Sequence, residues 1–292
     1  MRVEIGLAPL LAAACLGVAA PSGALSEAPA DATITADATL SAFIESAREA
    51  DIVVLGEVHD NPEHHRVQAE IVAALAPKAL VFEMIPQELE AELGELRAAG
   101  TDRAAQAAAL DWADSGWPDF GYYAAVMEAA PEAQIFGAGQ PSAEVSRAAL
   151  EGAAGVFGPD AAIYGLDARF EPEEQARREA EQAAAHCHAL SPEALPGMVE
   201  AQRFRDAGLA DATLWARIMT GGGQVVVIAG SGHADKLTGM PAMVALAEPE
   251  AKVLALGQFE PGAAPAAGEF DAVLYAPPPA REDPCAGLAP KG

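Results

Sequence analysis

The chain has 292 residues, of which 51% are hydrophobic, and a formal charge of -26 at neutral pH. Such a chain is globular rather than disordered and is long enough for one large domain or two smaller ones around an ample core. The strong negative charge argues against nucleic acid and an anionic membrane surface as partners.

The N-terminus has the pattern of an export signal. Arg2 supplies a positive charge, and residues 5–20 are apolar and small but too few for a membrane-spanning helix. We therefore expect an export signal at residues 1–26 and a Pro/Ala-rich spacer at residues 27–38. The alternative to soluble export is a lipid anchor at Cys15, although the three residues before this cysteine are alanines.

Stretches typical of strands then alternate with stretches typical of helices. This order predicts an α/β domain at residues 39–285 and a tail at residues 286–292. The predicted strands are residues 51–55, 79–84, 134–140, 224–229, 252–257 and 271–275, and the predicted helices include 39–50, 62–75 and 87–110. Residues 142–222 are predicted to be a helical insert. The pattern predicts a mostly parallel sheet flanked by helices, with a smaller helical subdomain.

Polar side chains cluster where predicted strands end. The apolar run of residues 52–55 is typical of a buried parallel strand, and the next helix is expected to start at Pro62 with Asn61 as its cap. The polar side chains beside these strand ends are Glu57, His59, His64, His65, Glu83 and His233. Because the carboxyl ends of parallel strands meet at one edge, we expect Glu57, His59, Glu83 and His233 to converge there.

Two carboxylates and two imidazoles allow two kinds of chemistry. They can hold a divalent metal with an open position, or they can transfer protons without a metal. The sequence has no dinucleotide-binding glycine turn, no P-loop, no nucleophile elbow and no HExxH motif. The strand-end cluster is therefore the main candidate site.

Residues 111–130 concentrate most of the large aromatic side chains. Trp117, Phe120 and Tyr123 are among them. These side chains either pack a helix onto the sheet or line a pocket for a flat apolar ligand. Without the signal, the remaining cysteines are Cys187 and Cys285, and two cysteines in an exported chain predict one disulfide, with two free thiols as the alternative.

Several motifs give the chain a resemblance to a known family. They are Gly56-Glu57-x-His59-x-Asn61-x-x-His64-His65, Phe82-Glu83, Gly116-Trp117-Pro118-Asp119 followed by Tyr123, His186-Cys187 followed by residues 195–206, and Ile228-Ala229-Gly230-Ser231-Gly232-His233. In their order and spacing they resemble the ChaN-like haem-binding uptake proteins, over essentially all of residues 51–285. That family is grouped with the Tiki and erythromycin-esterase-like proteins.

The resemblance implies an exported bacterial protein that binds haem in iron or haem acquisition. It places Tyr123 as a candidate axial ligand of the haem, with His64 or His65 as the alternative, and Trp117 and Phe120 as apolar walls. It implies a periplasmic location, with a lipid anchor through Cys15 still open. A homodimer and an outer-membrane haem-uptake system are also left open as partners.

The wider group to which the family belongs implies a different function, a metal-dependent hydrolase. In that case Glu57 would be the catalytic base. His59, Glu83 and His233 would bind the metal or orient the reacting groups.

Overall fold

The computed structural model describes residues 36–283 and 285–286. The predicted export signal, Cys15, most of the predicted spacer and most of the predicted tail lie outside the described residues. None of the helices in the described part of the chain has both the length and the apolar character needed to cross a membrane.

A single parallel sheet forms the centre of the described chain. Its strands are β1 (Ile52–Glu57), β2 (Ala79–Pro86), β3 (Gln134–Gly139), β4 (Val225–Gly230), β5 (Val253–Phe259) and β6 (Ala272–Tyr275). They lie in the order β3-β2-β4-β1-β5-β6, and every neighbouring pair is parallel. Each of the six predicted strands is present with its bounds shifted by at most two residues, and the predicted fold class is confirmed.

Helices connect the strands and cover the sheet. The α-helices described are α1 (Ala36–Ala47), α2 (Pro62–Leu75), α3 (Glu90–Ala98), α4 (Arg103–Ala109), α5 (Phe120–Ala129), α6 (Ser142–Glu151), α7 (Ala153–Phe157), α8 (Pro172–Ala185), α9 (Leu195–Met219), α10 (Ser231–Ala234) and α11 (Met240–Ala247). The helical stretch predicted at residues 87–110 is present but is divided into two α-helices. Gly100 adopts a φ of +68°, and Asp102 caps α4 by accepting a hydrogen bond from the Ala105 N–H at 2.9 Å, so a turn separates α3 from α4.

Both faces of the sheet are buried under helices. Successive side chains of a strand point to opposite faces, so each strand contributes to two cores. On β1, Val53 and Leu55 belong to the core that α1, α2 and α5 cover. Ile52 and Val54 belong to the second core, on the side of α6, α9 and α11. Helices on both faces leave the carboxyl edge of the sheet as the place for polar side chains.

The long helix α9 lies against the second face of the sheet. Residues 142–222 contain helices and no strand among their described elements, as predicted. Phe204, Ala207 and Leu209 of α9 pack in the same core as Val227 of β4. The polar residues of this helix are thereby held near the strand ends.

The helix α2 begins as its sequence predicts. Asn61 accepts a hydrogen bond from the Glu63 N–H at 3.1 Å, and Pro62 occupies the first helical position. Ala76, with a φ of 46°, ends the helix in the left-handed conformation. The loop that carries His59 is therefore fixed between the end of β1 and a capped helix.

A disulfide joins Cys187 and Cys285, as predicted, across a sequence separation of 98 residues. It connects the turn after α8 to the C-terminal segment. The same segment is also held by Arg281, which donates hydrogen bonds to Asp60 at 2.8 Å and to Glu260 at 2.7 Å. The C-terminal segment is thus held at two places, the turn after α8 and the loops that follow β1 and β5.

Candidate functional site

The carboxyl ends of β2, β4 and β1 lie side by side and bring the predicted carboxylates to one edge. Glu57 is in register with Gly230, and Glu83 directly follows Phe82, which is in register with Ile228. Glu57 is the last residue of β1, whereas the sequence placed it just after the strand. The strand thus points the Glu57 side chain into the interior.

The helix α10 reaches the same edge because Gly56 lets it approach β1 closely. A Cβ on Gly56 would lie 2.9 Å from the Ser231 Cα and 3.0 Å from the Ala234 Cβ. A side chain at position 56 would therefore displace α10. Since α10 carries His233, this glycine helps to place the imidazole beside the strand ends.

Glu57 is the centre of a buried hydrogen-bond network. Its side chain is fully buried. One carboxylate oxygen accepts hydrogen bonds from the Tyr123 hydroxyl at 3.0 Å and from His59 Nδ1 at 2.8 Å. The other accepts from Gln68 Nε2 at 2.6 Å and lies 3.4 Å from His65 Nδ1. These contacts compensate for burying the carboxylate.

Glu83 is the second centre of the site. Its Oε2 accepts a hydrogen bond from the Gly230 N–H at 2.8 Å and lies 4.0 Å from His59 Nε2. Its Oε1 pairs with Arg205 and lies 3.3 Å from His233 Nε2. Burial would raise the pKa of Glu83, but His233, His59 and Arg205 hold that pKa well below its usual range.

His233 is held between two acids. Its Nδ1 donates to Asp206 Oδ1 at 2.6 Å, and its Nε2 faces Glu83. Burial lowers the pKa of His233, but the charges of Glu83 and Asp206 outweigh it and raise the pKa to about 9. The two neighbouring acids therefore favour the protonated form of His233. Burial also raises the pKa of Asp206, whose second oxygen is buried without a hydrogen-bond partner among the described protein atoms.

His59 links the two carboxylates and is the partly exposed imidazole of the cluster. Its side chain is 33% exposed, and its ring meets Trp117 edge-on at 4.9 Å. Burial lowers the pKa of His59, but the hydrogen bond to Glu57 and the charge of Glu83 raise it overall. A Cβ on Gly230 would lie 3.0 Å from His59 Nε2, so this glycine leaves the space beside that nitrogen open.

The other predicted haem ligands are buried around Glu57. Tyr123 is fully buried, and burial together with the charge of Glu57 raises its pKa. His64 Nδ1 accepts from the Val58 N–H at 2.9 Å, and burial lowers the pKa of His64. His65 donates from Nε2 to the His59 carbonyl at 2.8 Å and stacks on Tyr122.

The two predicted apolar walls have different positions. Phe120 is buried in the core, where it packs edge-on against Trp112 at 5.1 Å, so the packing interpretation holds for it. Trp117 is half-buried and lines a cavity of about 500 Å³, which we call the edge cavity. This cavity lies beside the ends of β2 and β3 and is bounded by α6 and α9; Glu83 and Arg205 are also in its lining.

Among the described residues, no three His, Cys, Asp or Glu side chains are grouped so that they could hold a metal ion. The predicted metal ligands His59, Glu83 and His233, with Glu57, are close together but are joined to one another and to neighbours by hydrogen bonds and ion pairs. A chain of alternating carboxylates and imidazoles can store and pass protons.

Four residues of this network were not singled out from the sequence: Gln68, Gln202, Arg205 and Asp206. Gln202 lies on α9 with its Nε2 2.9 Å from His233 Nδ1. Gln68 lies four residues after His64 on α2, a helical spacing that places both on one face and could have identified it. Arg205 and Asp206 are polar residues within a long helix that packs on the sheet. No pattern in the sequence shows which strand end they meet.

Comparisons with known proteins agree with this architecture. The family model described as haem-binding uptake, Tiki superfamily, ChaN matches residues 43–244. Among solved structures, ChaN of Campylobacter jejuni, described in terms of cofacial haem binding, is similar with a TM-score of 0.58 and 20% identity; the match covers 75% of this chain and 85% of that chain. The comparison with curated proteins finds no match.

Two further solved structures are more distant. The type III effector HopBA1 has a TM-score of 0.45 and 12% identity, over 82% of this chain and 93% of that chain. An erythromycin esterase, a mutant of EreC in its open conformation, has a TM-score of 0.41 and 15% identity, over 75% of this chain and 72% of that chain.

Proposed function

Because the chain belongs to the haem-binding uptake family of the Tiki superfamily, the ChaN family, we propose that it is an exported protein that binds haem for iron or haem uptake. The family match is the observation that carries this proposal. Haem supplies an iron atom with axial positions for protein ligands, set in a flat and largely apolar ring that bears two carboxylates.

The side chains at the carboxyl edge fit these requirements. The edge cavity has an apolar ring in Trp117 and a cation in Arg205, and its volume of about 500 Å³ is within the range of small-molecule sites. Phenol and imidazole groups, the usual haem ligands besides thiolates and thioethers, lie around Glu57, and His59 connects them to the cavity because it bonds to Glu57 and meets Trp117 edge-on. The proposed axial ligand is Tyr123, with His64 or His65 as the alternative. Since all three are buried, binding the iron requires the side chains at this edge to rearrange.

A haem titration tests the function and the ligand together. We expect haemin to give a saturable Soret shift with the parent protein, and we expect Tyr123→Phe or His64→Gln or His65→Gln to change the position of the Soret band. Tyr122→Phe is the matched control, because its ring stacks on His65 at 4.9 Å but does not contact Glu57. No saturable shift with the parent would refute haem binding. An unchanged spectrum in all three variants would refute only the ligand assignment.

The proposed location is the periplasm, with a lipid anchor through Cys15 as the alternative. The apolar N-terminal pattern and the disulfide support export, because disulfides persist in oxidising compartments. A homodimer and an outer-membrane haem-uptake system are the proposed partners. A solved relative is described as binding haem cofacially, and two facing haems are readily held between two copies.

Hydrolysis is a second candidate, and one observation favours it. His59 is partly exposed, is backed by Glu57 and lies beside Trp117 of the edge cavity. The sequence assigned the catalytic base to Glu57, but its side chain is fully buried; in this proposal the exposed part of His59 takes a proton from water while Glu57 holds the ring. Removing a general base costs about 10²- to 10⁴-fold in rate, so His59→Gln should lose nearly all hydrolysis of a nitrophenyl ester. Equal rates in parent and variant would refute this candidate.

A further inference from the structure

The edge cavity contains one cation among the described residues that line it. That cation is Arg205 on α9, whose side chain is 33% exposed, and the lining also includes the carboxylates of Glu83 and Glu88. The whole chain has 43 acidic residues against 17 lysines and arginines. A ligand with a free carboxylate would therefore be repelled from most of the surface and needs a local positive charge.

Arg205 can provide that charge without giving up Glu83. Its contact with Glu83 uses one of the five N–H donors that a guanidinium carries. Glu83 is also bound by the Gly230 N–H at 2.8 Å and lies 3.3 Å from His233 Nε2. Two other groups thus already stabilise the Glu83 carboxylate, so the remaining donors of Arg205 are available to a second one.

The rest of the lining indicates what kind of molecule carries the carboxylate. Trp117 provides a flat aromatic face, and Met84, Leu110 and Leu209 provide aliphatic surface. A flat apolar body with an acidic group at its rim matches this combination of surfaces.

We infer that Arg205 binds a carboxylate of the ligand in the edge cavity, which for haem is a propionate. This inference rests on the proposed function. It adds the residue that selects for the acid groups of the ligand, which neither the axial ligands nor the apolar walls can do. A guanidinium and a carboxylate pair through charge-assisted hydrogen bonds, often two in parallel.

The test compares haemin with haemin dimethyl ester, which has the same ring and iron but no free carboxylate. Both are titrated into the full chain in the same detergent, followed by absorbance. The parent should bind haemin about 10- to 100-fold more tightly than the ester, the range expected for a hydrogen bond between charged groups. In Arg205→Gln the affinity for haemin should fall to that for the ester, and Arg205→Lys should retain part of the preference.

Arg147→Gln is the matched control. Arg147 lies on α6, is 49% exposed and pairs with Glu144 and Glu151 rather than lining the cavity. This variant should keep the full preference for haemin. If Arg205→Gln does not fold, the parent and Arg205→Lys still decide the question, because the lysine retains the charge beside Glu83.

The outcomes separate this inference from the proposed function. Tight binding of haemin and its ester with equal affinity by the parent would overturn the role of Arg205 and leave haem binding intact. An undiminished preference in Arg205→Gln would do the same. Failure of the parent to bind either compound would overturn both proposals.

Discussion

Replacement of Glu57 by alanine is expected to lower the free energy of unfolding by about 3–5 kcal/mol, the range seen when one partner of a buried charged network is removed. The reason is the number of groups that depend on this carboxylate. Tyr123, Gln68 and His59 donate to it at 3.0, 2.6 and 2.8 Å, and the variant leaves these donors without an acceptor. Urea unfolding followed by circular dichroism measures the loss.

Two further variants make this prediction specific. Glu57→Gln should cost much less, about 1–2 kcal/mol, because one oxygen remains and because the amide of Gln68 can rotate to offer its buried, unpartnered oxygen to the new NH₂ group. Glu70→Ala on the exposed side of α2 should change stability by less than about 1 kcal/mol, since it removes only a surface ion pair with Arg66. Equal losses for Glu57→Ala and Glu70→Ala would contradict the network.

Loss of the disulfide is expected to have a comparable effect. On the chain-entropy model, a bond that closes a loop of 98 residues stabilises the folded state by about 4–5 kcal/mol. For a domain of this size that corresponds to a decrease of roughly 10 °C in Tm. Calorimetry of the Cys187→Ser/Cys285→Ser double variant beside the parent measures the difference.

The control for the disulfide is the same comparison under a reducing agent. Reduction should bring the Tm of the parent close to that of the double variant and leave the variant unchanged. Arg281→Ala, which removes ion pairs of the same C-terminal segment, should have a much smaller effect because these pairs are in contact with solvent and close no loop of the chain. A parent Tm that does not respond to complete reduction would contradict the expected contribution of the bond.

The strands could be predicted because their signal is local. Runs such as residues 52–55 and 225–229 are short, apolar and rich in β-branched residues. This composition is enough to identify a parallel strand that is buried on both faces. The convergence of Glu57, Glu83 and His233 then followed from the geometry of parallel sheets, because the carboxyl ends of all strands lie on one edge. The start of α2 at Pro62 was equally local.

The partners from distant helices could not be predicted, because they depend on how each helix is rotated about its axis. Helix α5 is apolar on most of its faces, so the sequence did not show that Phe120 points into the core while Tyr123 reaches Glu57. Arg205 and Asp206 are neighbours on α9, yet they contact Glu83 and His233 respectively. Such contacts are set by tertiary packing between residues that lie 27 to 122 positions apart in the chain.

The most direct test of haem binding at the carboxyl edge is the position of the iron in crystals grown with haem, located by anomalous scattering at the iron absorption edge. Haem bound at this edge should give one iron peak per chain next to the edge cavity, close to Trp117 and the side chains around Glu57. An iron peak at another part of the surface, or crystals that exclude haem although the cavity is open, would contradict haem binding at the carboxyl edge.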